Sequence, residues 1–185
     1  ELEGHLMASG INNVRKSVYL NNNGFDFKLT ARNFEMSRNV TYGDKSNSVY
    51  HSYLRLPKSA QGNGLTKKMF QSLYKQYEAG NIKRINVTAN IDVGGYAWAK
   101  YGFSATNRSD VIDIIRRSNN DKWASKALRK VNYHYKRYGN DTPFPMLRLT
   151  KIEGGKKELL NTFWSGTIDL SNKKEREWFV NYLFK

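Results

Sequence analysis

The chain has 185 residues, enough for one domain with a real core, and its 12 Tyr, 9 Phe and 4 Trp argue against a disordered protein. It contains no cysteine, which excludes disulfide scaffolds, thiolate zinc sites, iron–sulfur clusters and cysteine nucleophiles. Its formal net charge of +15 points to a polyanionic partner: nucleic acid, a phosphorylated cofactor or an acidic protein. The alternative is a basic protein whose charge only keeps it dispersed.

The positive charge is concentrated in the middle of the sequence. Residues 51–105 carry eight basic and two acidic side chains, and residues 106–150 carry ten and four, so each segment has an excess of six. The first ten residues resemble an expression-tag remnant, so the fold prediction treats residues 11–185 as a single domain. No apolar run approaches the roughly 20 residues of a membrane span. We therefore expect no membrane association and a cytoplasmic location, in a bacterium or a phage-infected cell.

Short strands and helices alternate along this domain. Alternating apolar and polar residues predict strands over 25–30, 33–42, 48–56, 84–89, 146–152 and 162–170, with a further extended piece from Phe103. Apolar residues at helical spacing predict helices over 65–79, 94–101, 110–117, 122–138 and 174–184. This order predicts an α/β or α+β layer with a mixed sheet.

The strand, loop and helix over residues 48–79 form the strongest functional motif. The loop contains Gln61-Gly62-Asn63-Gly64, and the predicted helix starts immediately afterwards. Glycines let the backbone approach a ligand closely, and the first N–H groups of a helix lack internal partners. Together they favour a phosphate site, with Lys58, Lys67 and Lys68 adding positive charge. The alternative is a plain turn, because the loop is neither a Walker motif nor a dinucleotide fingerprint.

A second motif covers residues 90–103. It combines the pair Gly94-Gly95, the aromatic residues of a short helix, and a closing Gly102-Phe103. Packing of that helix on a sheet explains the pattern equally well.

At their observed separation, the two motifs resemble the GCN5-related N-acetyltransferase superfamily. Its signature is a strand, then Gln/Arg-x-x-Gly-x-Gly/Ala opening a helix, then a strand and a short helix ending in Gly-Phe. The stretch 94–99 also looks like a divergent branch seen in phage head-associated and other mobile-element proteins. The resemblance implies a mixed, mostly antiparallel central sheet flanked by helices, with a C-terminal helical and strand extension. It divides the domain into a core signature over 48–103, a basic helical extension over 106–140, and C-terminal strands and a helix over 143–185.

The resemblance implies binding of acetyl-CoA or another acyl-CoA. The diphosphate contacts would come from the loop and the helix start, namely Gln61, Gly62, Asn63, Gly64, Leu65 and Thr66. The pantetheine arm would pair with the strand from Leu54 to Leu56.

The sequence departs from the family pattern at several positions. Thr66 stands where the family has Gly or Ala, and Trp98 where it often has a Tyr that protonates the departing thiolate. The Asn that usually starts the last motif has no match in register, since Asn90 is one residue away. The N-terminal half predicts strands where the family has two helices. Cofactor binding is therefore better supported than catalysis.

Three residues are weak candidates for catalysis. His51 lies on the signature strand and has the natural pKa range of a general base, although a half-buried strand histidine is the more common case. Tyr96 and Tyr101 would supply an acid if the short helix turned them towards the sulfur. Neither is in the family register.

The predicted helix over 122–138 has the composition of a nucleic-acid-binding face. Its cations include Lys126, Arg129, Lys130, Lys136 and Arg137, interleaved with Tyr133, His134, Tyr135 and Tyr138. An acidic protein partner fits equally well. The more common case is an amphipathic helix that packs its aromatic stripe on the sheet and has a solvated basic back. Two functions remain: an active acyl-CoA-dependent N-acetyltransferase acting on an unknown amine, and a catalytically degenerate module of the same fold that binds or assembles with nucleic acid or an acidic protein.

Overall fold

The computed structural model describes residues 1–43, 46–89 and 94–185. These residues form two compact units: residues 1–85 with 169–185, and residues 86–168. The prediction of a single domain over 11–185 stays a prediction.

The first unit contains a four-stranded antiparallel meander, its helices and the beginning of a fifth strand. Its elements are α1 (Leu2–Ala8), β1 (Arg15–Asn21), β2 (Gly24–Ala31), β3 (Phe34–Thr41), β4 (Asn47–Arg55), a 3-10 helix (Lys58–Ala60), α2 (Leu65–Ala79), the start of β5 (Ile82–Ala89), and α8 (Lys173–Phe184).

The core of this unit follows from period-two burial on β3. Phe34, Met36, Arg38 and Val40 are buried, while the residues between them are half-exposed. Alternate strand residues point to opposite faces, so the three apolar residues and Arg38 share the covered face. The apolar side of α2 completes the core with α8, where the rings of Phe70 and Phe179 meet edge to face at 6.3 Å.

The second unit contains small strands and most of the remaining helices. Its elements are α3 (Gly94–Tyr101), β6 (Ser104–Ala105), α4 (Arg108–Arg117), α5 (Asp121–Tyr138), β7 (Phe144–Pro145), α6 (Leu147–Thr150), α7 (Gly155–Leu159) and most of β8 (Trp164–Asp169). Trp123 and Trp164 are among its fully buried side chains. Asn120 caps α5, because its Oδ1 accepts a hydrogen bond from the Trp123 N–H at 3.0 Å.

The described strands form an eight-stranded sheet in the order β1-β2-β3-β4-β5-β8-β6-β7. The sheet is mostly antiparallel and flanked by helices, which confirms the predicted fold class. In the N-terminal half, β2 and β3 confirm the strands predicted where the resembling family has helices. No helix within the described part of the chain is long and apolar enough to cross a membrane.

One predicted strand is wrong. Residues 146–152 form the short helix α6 with flanking turns, because the buried residues Met146, Leu149 and Ile152 recur every three positions. Main-chain bonds from Leu149 to Met146 and from Ile152 to Leu149 close these turns. The apparent alternation in the sequence therefore does not correspond to two faces of a strand.

Several elements were not predicted, among them α1, β1 and α7. Residues 1–10, set aside as a tag remnant, contain α1, whose Leu6 is fully buried. The strand β1 has no buried residue, so its sequence lacks the apolar alternation that marks a half-buried strand. The segment after Gly154 forms α7 instead of a simple connection between strands.

Candidate coenzyme site

The strand, loop and helix of the first motif form as the sequence predicts. β4 ends at Arg55, the 3-10 helix follows, and α2 begins at Leu65. Gly62 and Gly64 have φ angles of 77° and 73°, in the left-handed region that favours glycine. A Cβ at either glycine would meet no atom within 4 Å. The backbone conformation therefore calls for glycine here, and the space above both residues is open.

The N-terminus of α2 lacks a side-chain cap among the described residues. The Lys68 N–H is the first to bond back into the helix, to the Gly64 carbonyl at 3.2 Å, so the N–H groups of residues 65–67 precede the helical hydrogen-bond ladder. The helix dipole adds positive potential at this end, and Lys58, Lys67 and Lys68 add formal charge. This arrangement is suited to binding an anion such as a phosphate.

Two loop side chains hold the loop in place. Gln61 Nε2 donates to the Leu56 carbonyl at 3.1 Å, and Asn63 Nδ2 donates to the Ser59 carbonyl at 3.0 Å. Both side-chain amides are thus engaged with the backbone of their own loop. The main-chain N–H of Gln61 also donates within the loop, to the Lys58 carbonyl at 3.2 Å, so a ligand contact from this pair would come from the main-chain N–H of Asn63.

The other predicted coenzyme contacts differ in exposure. Leu65 is a core residue at 2% exposure, so only its backbone is available, whereas Thr66 is half-buried. Leu54 and Leu56 are also half-buried; Leu54 pairs with Met36 of β3, and the Leu56 carbonyl accepts the bond from Gln61.

A bulge interrupts β4 just before this region. Ser37 pairs with Tyr53 and Arg38 with His51, which leaves Ser52 as an extra residue on β4. Arg38 stabilises the bulge, because its Nη1 donates to the Ser37 carbonyl at 2.7 Å and to the Tyr53 carbonyl at 3.1 Å.

His51 lies inside the first unit, beneath α2. It is 4% exposed, its Nε2 lies 2.7 Å from the Tyr77 hydroxyl, and its ring centroid lies 4.9 Å from that of Phe70. Burial, and then the Arg38 guanidinium, hold the pKa of His51 well below its usual value. Burial raises the pKa of Tyr77 to about 12, although Arg38 acts in the opposite direction. His51 is therefore neutral near pH 7 and enclosed by protein, as expected for an interior hydrogen-bonding residue.

The two candidate tyrosines belong to the second unit. Tyr101 is 6% exposed and packs near Trp98, with ring centroids 5.9 Å apart. Tyr96 is half-exposed, and the Lys156 ammonium lies 5.9 Å from the centre of its ring. Tyr96 is the most accessible of the three candidate catalytic residues. Asn90, compared above with the family asparagine, lies outside the described residues.

Packing explains Gly95 of the second motif. A Cβ on Gly95 would overlap the Leu159 carbonyl and the Thr162 hydroxyl, so only glycine allows α3 to approach the segment after α7 this closely. The Trp98 ring packs edge to face on Phe103 at 5.2 Å. This second motif therefore serves packing within its unit.

The five predicted basic residues of α5 point outwards. Arg129, Lys130, Lys136 and Arg137 are exposed, and Lys126 is half-exposed. The structure corrects the aromatic part of that prediction, because His134 and Tyr135 are buried while Tyr133 and Tyr138 are exposed.

Sequence reasoning missed Arg38 and Tyr77. Arg38 occupies an inward-facing position of the strand Phe34–Thr41, where buried and half-exposed residues alternate. A basic residue at an inward-facing position is the sequence signal that could have identified it. Tyr77 was interpreted only as part of the apolar face of α2.

No protein-family profile matches the chain, and no curated protein gives a significant match.

Proposed function

We propose that the chain is an acyl-CoA-dependent N-acetyltransferase-like protein that transfers an acetyl group to an amine. The observation that carries this proposal is the start of α2, which has no side-chain cap among the described residues, follows two left-handed glycines and has Lys58, Lys67 and Lys68 close to it in the sequence. In the family that the sequence resembles, this position holds the diphosphate of coenzyme A. We expect a cytoplasmic protein, in a bacterium or a phage-infected cell.

Coenzyme binding would use the backbone of residues 61–66. The main-chain N–H groups at the start of α2 would donate to the diphosphate oxygens, and the nearby lysines would neutralise their charge. Because Gln61 and Asn63 already hold the loop, little ordering remains to be done on binding.

An acyl-CoA supplies an activated thioester. During transfer a C–N bond forms at the thioester carbon, the C–S bond breaks, the amine loses a proton and the leaving thiolate gains one. Among the three candidate catalytic residues, Tyr96 has the most exposed side chain. Because the His51 ring is enclosed by protein, His51 would contribute only by packing β4 against α2, not by transferring a proton.

A second candidate function is a binding or assembly module of the same fold that transfers no acyl group. The burial of His51 and Tyr101 favours this alternative, as does the tryptophan at position 98, which cannot protonate a thiolate. Under this alternative the loop before α2 keeps its shape without taking part in catalysis.

Thermal unfolding with coenzyme A tests the binding step. A ligand at 100 times its dissociation constant should add about 2.7 kcal/mol to the free energy of unfolding. Gly62→Ala should weaken binding at least about tenfold, because it strains the loop and places a methyl in the open space above it. Gly10→Ala is the matched control: Gly10 has a φ of 76° and equally open surroundings, but it follows α1.

Thiol release from acetyl-CoA, measured over a panel of amines and peptides, separates the two candidates. Binding with turnover supports the transferase, whereas binding without turnover supports the module. Absence of a stability change at millimolar coenzyme A would remove the transferase proposal.

A further inference from the structure

The outer surface of α5 carries five cationic side chains, here called the α5 cationic stripe: Lys126, Arg129, Lys130, Lys136 and Arg137. At 100° per residue these positions fall within an arc of about 120°, and they extend along about 16 Å of the helix axis. Tyr133 lies at the centre of this arc and is 57% exposed. The stripe thus consists of two groups of cations, at 126–130 and at 136–137, with one exposed aromatic ring between them.

The stripe has no ion-pair partner among the residues that the structure describes. Within the described residues, the ion pair on α5 joins the Lys122 ammonium to the Glu153 carboxylate at 3.8 Å, and Lys122 lies outside the stripe. Within α5 itself the acidic residue is Asp121, in the first turn. The five charges are therefore available to an external anion.

The stability of helix α5 does not explain why the five cations are present. Lys136 and Arg137 lie in the last turn, where cations interact favourably with the helix dipole. Lys126 and Lys130 are one turn apart in mid-helix, where like charges destabilise a helix by a few tenths of a kcal/mol. The opposite face, with Trp123, Ala127 and Val131 buried, already anchors the helix.

Tyr133 is held in an orientation that exposes its ring. Arg137 Nη1 donates to the Tyr133 hydroxyl at 2.8 Å, one helical turn away. Since His134 and Tyr135 are buried, Tyr133 is the aromatic ring available within the stripe. An exposed ring between cations can stack on an unpaired base while the cations contact the flanking phosphates.

We propose that the α5 cationic stripe binds single-stranded nucleic acid, with the five cations on the sugar–phosphate backbone and Tyr133 stacked on a base. Two groups of cations, at 126–130 and at 136–137, flank the exposed ring of Tyr133. A single strand can place a base on this ring and phosphates on both groups, whereas an acidic protein offers no base to stack. The surface lies within the second unit, so the proposal does not depend on coenzyme binding at the loop before α2.

The salt dependence of binding to a fluorescently labelled, mixed-sequence single-stranded oligonucleotide tests the electrostatic part. Five phosphate contacts predict a slope of log K against log salt of about −3.5, or about 100-fold weaker binding at 200 mM than at 50 mM salt. The triple variant Lys126→Gln, Arg129→Gln and Lys130→Gln should make this slope shallower by about 2. Gln is a good helix former, and a far-ultraviolet circular dichroism spectrum checks that α5 is retained.

A matched control removes the same charge elsewhere. Lys83→Gln, Lys173→Gln and Lys174→Gln lie in the first unit and should leave the slope unchanged. Equal slopes for the wild type and the α5 variant, or an equal change in the control, would overturn the proposal.

The stacking part has its own measurement. Tyr133→Leu should weaken single-strand binding about fivefold or more without changing the salt slope, because a base stack is worth about 1–3 kcal/mol. Tighter binding to duplex of the same sequence, with no effect of Tyr133→Leu, would refute stacking on an unpaired base. Equal competition by polyglutamate at matched charge would refute nucleic acid as the preferred partner.

Discussion

Protonation of His51 should make the first unit unstable in mild acid. Its ring is 4% exposed and its pKa is held well below the usual value, first by burial and then by Arg38. In the unfolded chain His51 takes up a proton as the pH falls through about 6.5, whereas in the folded protein it stays neutral. The unfolded state therefore binds more protons in this range, and stability is lost as the pH falls.

The magnitude follows from the linkage relation. Below about pH 6.5 and down to the folded-state pKa, His51 should remove about 1.4 kcal/mol from the free energy of unfolding for each pH unit. Above about pH 7 its contribution should be constant. His51→Gln cannot titrate, so the difference in unfolding free energy between wild type and variant isolates this effect.

Urea unfolding from pH 5 to pH 8 measures that difference. His134, whose pKa burial also lowers, is present in both proteins and cancels. Asn12→Gln, at an exposed position that does not titrate, is the control and should run parallel to the wild type. Parallel curves for wild type and His51→Gln below pH 6.5 would refute the burial of a neutral imidazole beneath α2.

Two further predictions concern the interior of each unit. The pKa of Tyr77 is raised to about 12, so this residue ionises first in the unfolded chain and stability should fall as the pH rises from about 10 to 12. Tyr77→Phe should make this alkaline loss smaller but not abolish it, because the pKa of Tyr74 is also raised to about 12. The same variant should cost about 1–3 kcal/mol at neutral pH, because His51 and Arg38 lose the hydroxyl. Gly95→Ala should destabilise the second unit by about 2 kcal/mol or more, because its methyl would overlap the Leu159 carbonyl. Gly4→Ala in α1 is the control; its methyl meets open space, so it should be neutral or slightly stabilising. Thermal unfolding measures both variants, and equal effects at the two glycines would contradict the packing of α3.

The loop and α2 could be predicted from the sequence because their signals are local. Four-residue recurrence from Leu65 to Tyr77 sets the helix, and Gly64 sets its start, so the predicted bounds of 65–79 match α2. Glycine at 62 and 64 permits the left-handed φ angles observed there, although residue type alone does not require them. The anion-binding geometry thus depends on a short stretch of chain.

The position of His51 could not be predicted in the same way. Alternation on β4 shows that His51 and Val49 share a face, but not which face is covered. That depends on α2 and on α8, which arrives from the far end of the sequence: Gln71 Nε2 donates to the Leu183 carbonyl at 2.6 Å. Contacts over such separations leave no periodic signal in one sequence.

The aromatic residues of α5 show the same limit. Composition grouped Tyr133, His134, Tyr135 and Tyr138 as one face, yet adjacent helical residues lie about 100° apart. Packing buries His134 against Phe144, with ring centroids 5.2 Å apart, and leaves Tyr133 outside. A helical projection separates these residues, whereas a composition count does not.

Titration of the ¹⁵N-labelled protein with coenzyme A tests the central claim most directly. The account predicts that the amide resonances of Gly62, Gly64, Leu65 and Thr66 shift and saturate together, while pantetheine, which lacks the diphosphate, leaves them in place. Unchanged amide resonances in residues 61–66 at millimolar coenzyme A would contradict the claim that the start of α2 holds the diphosphate.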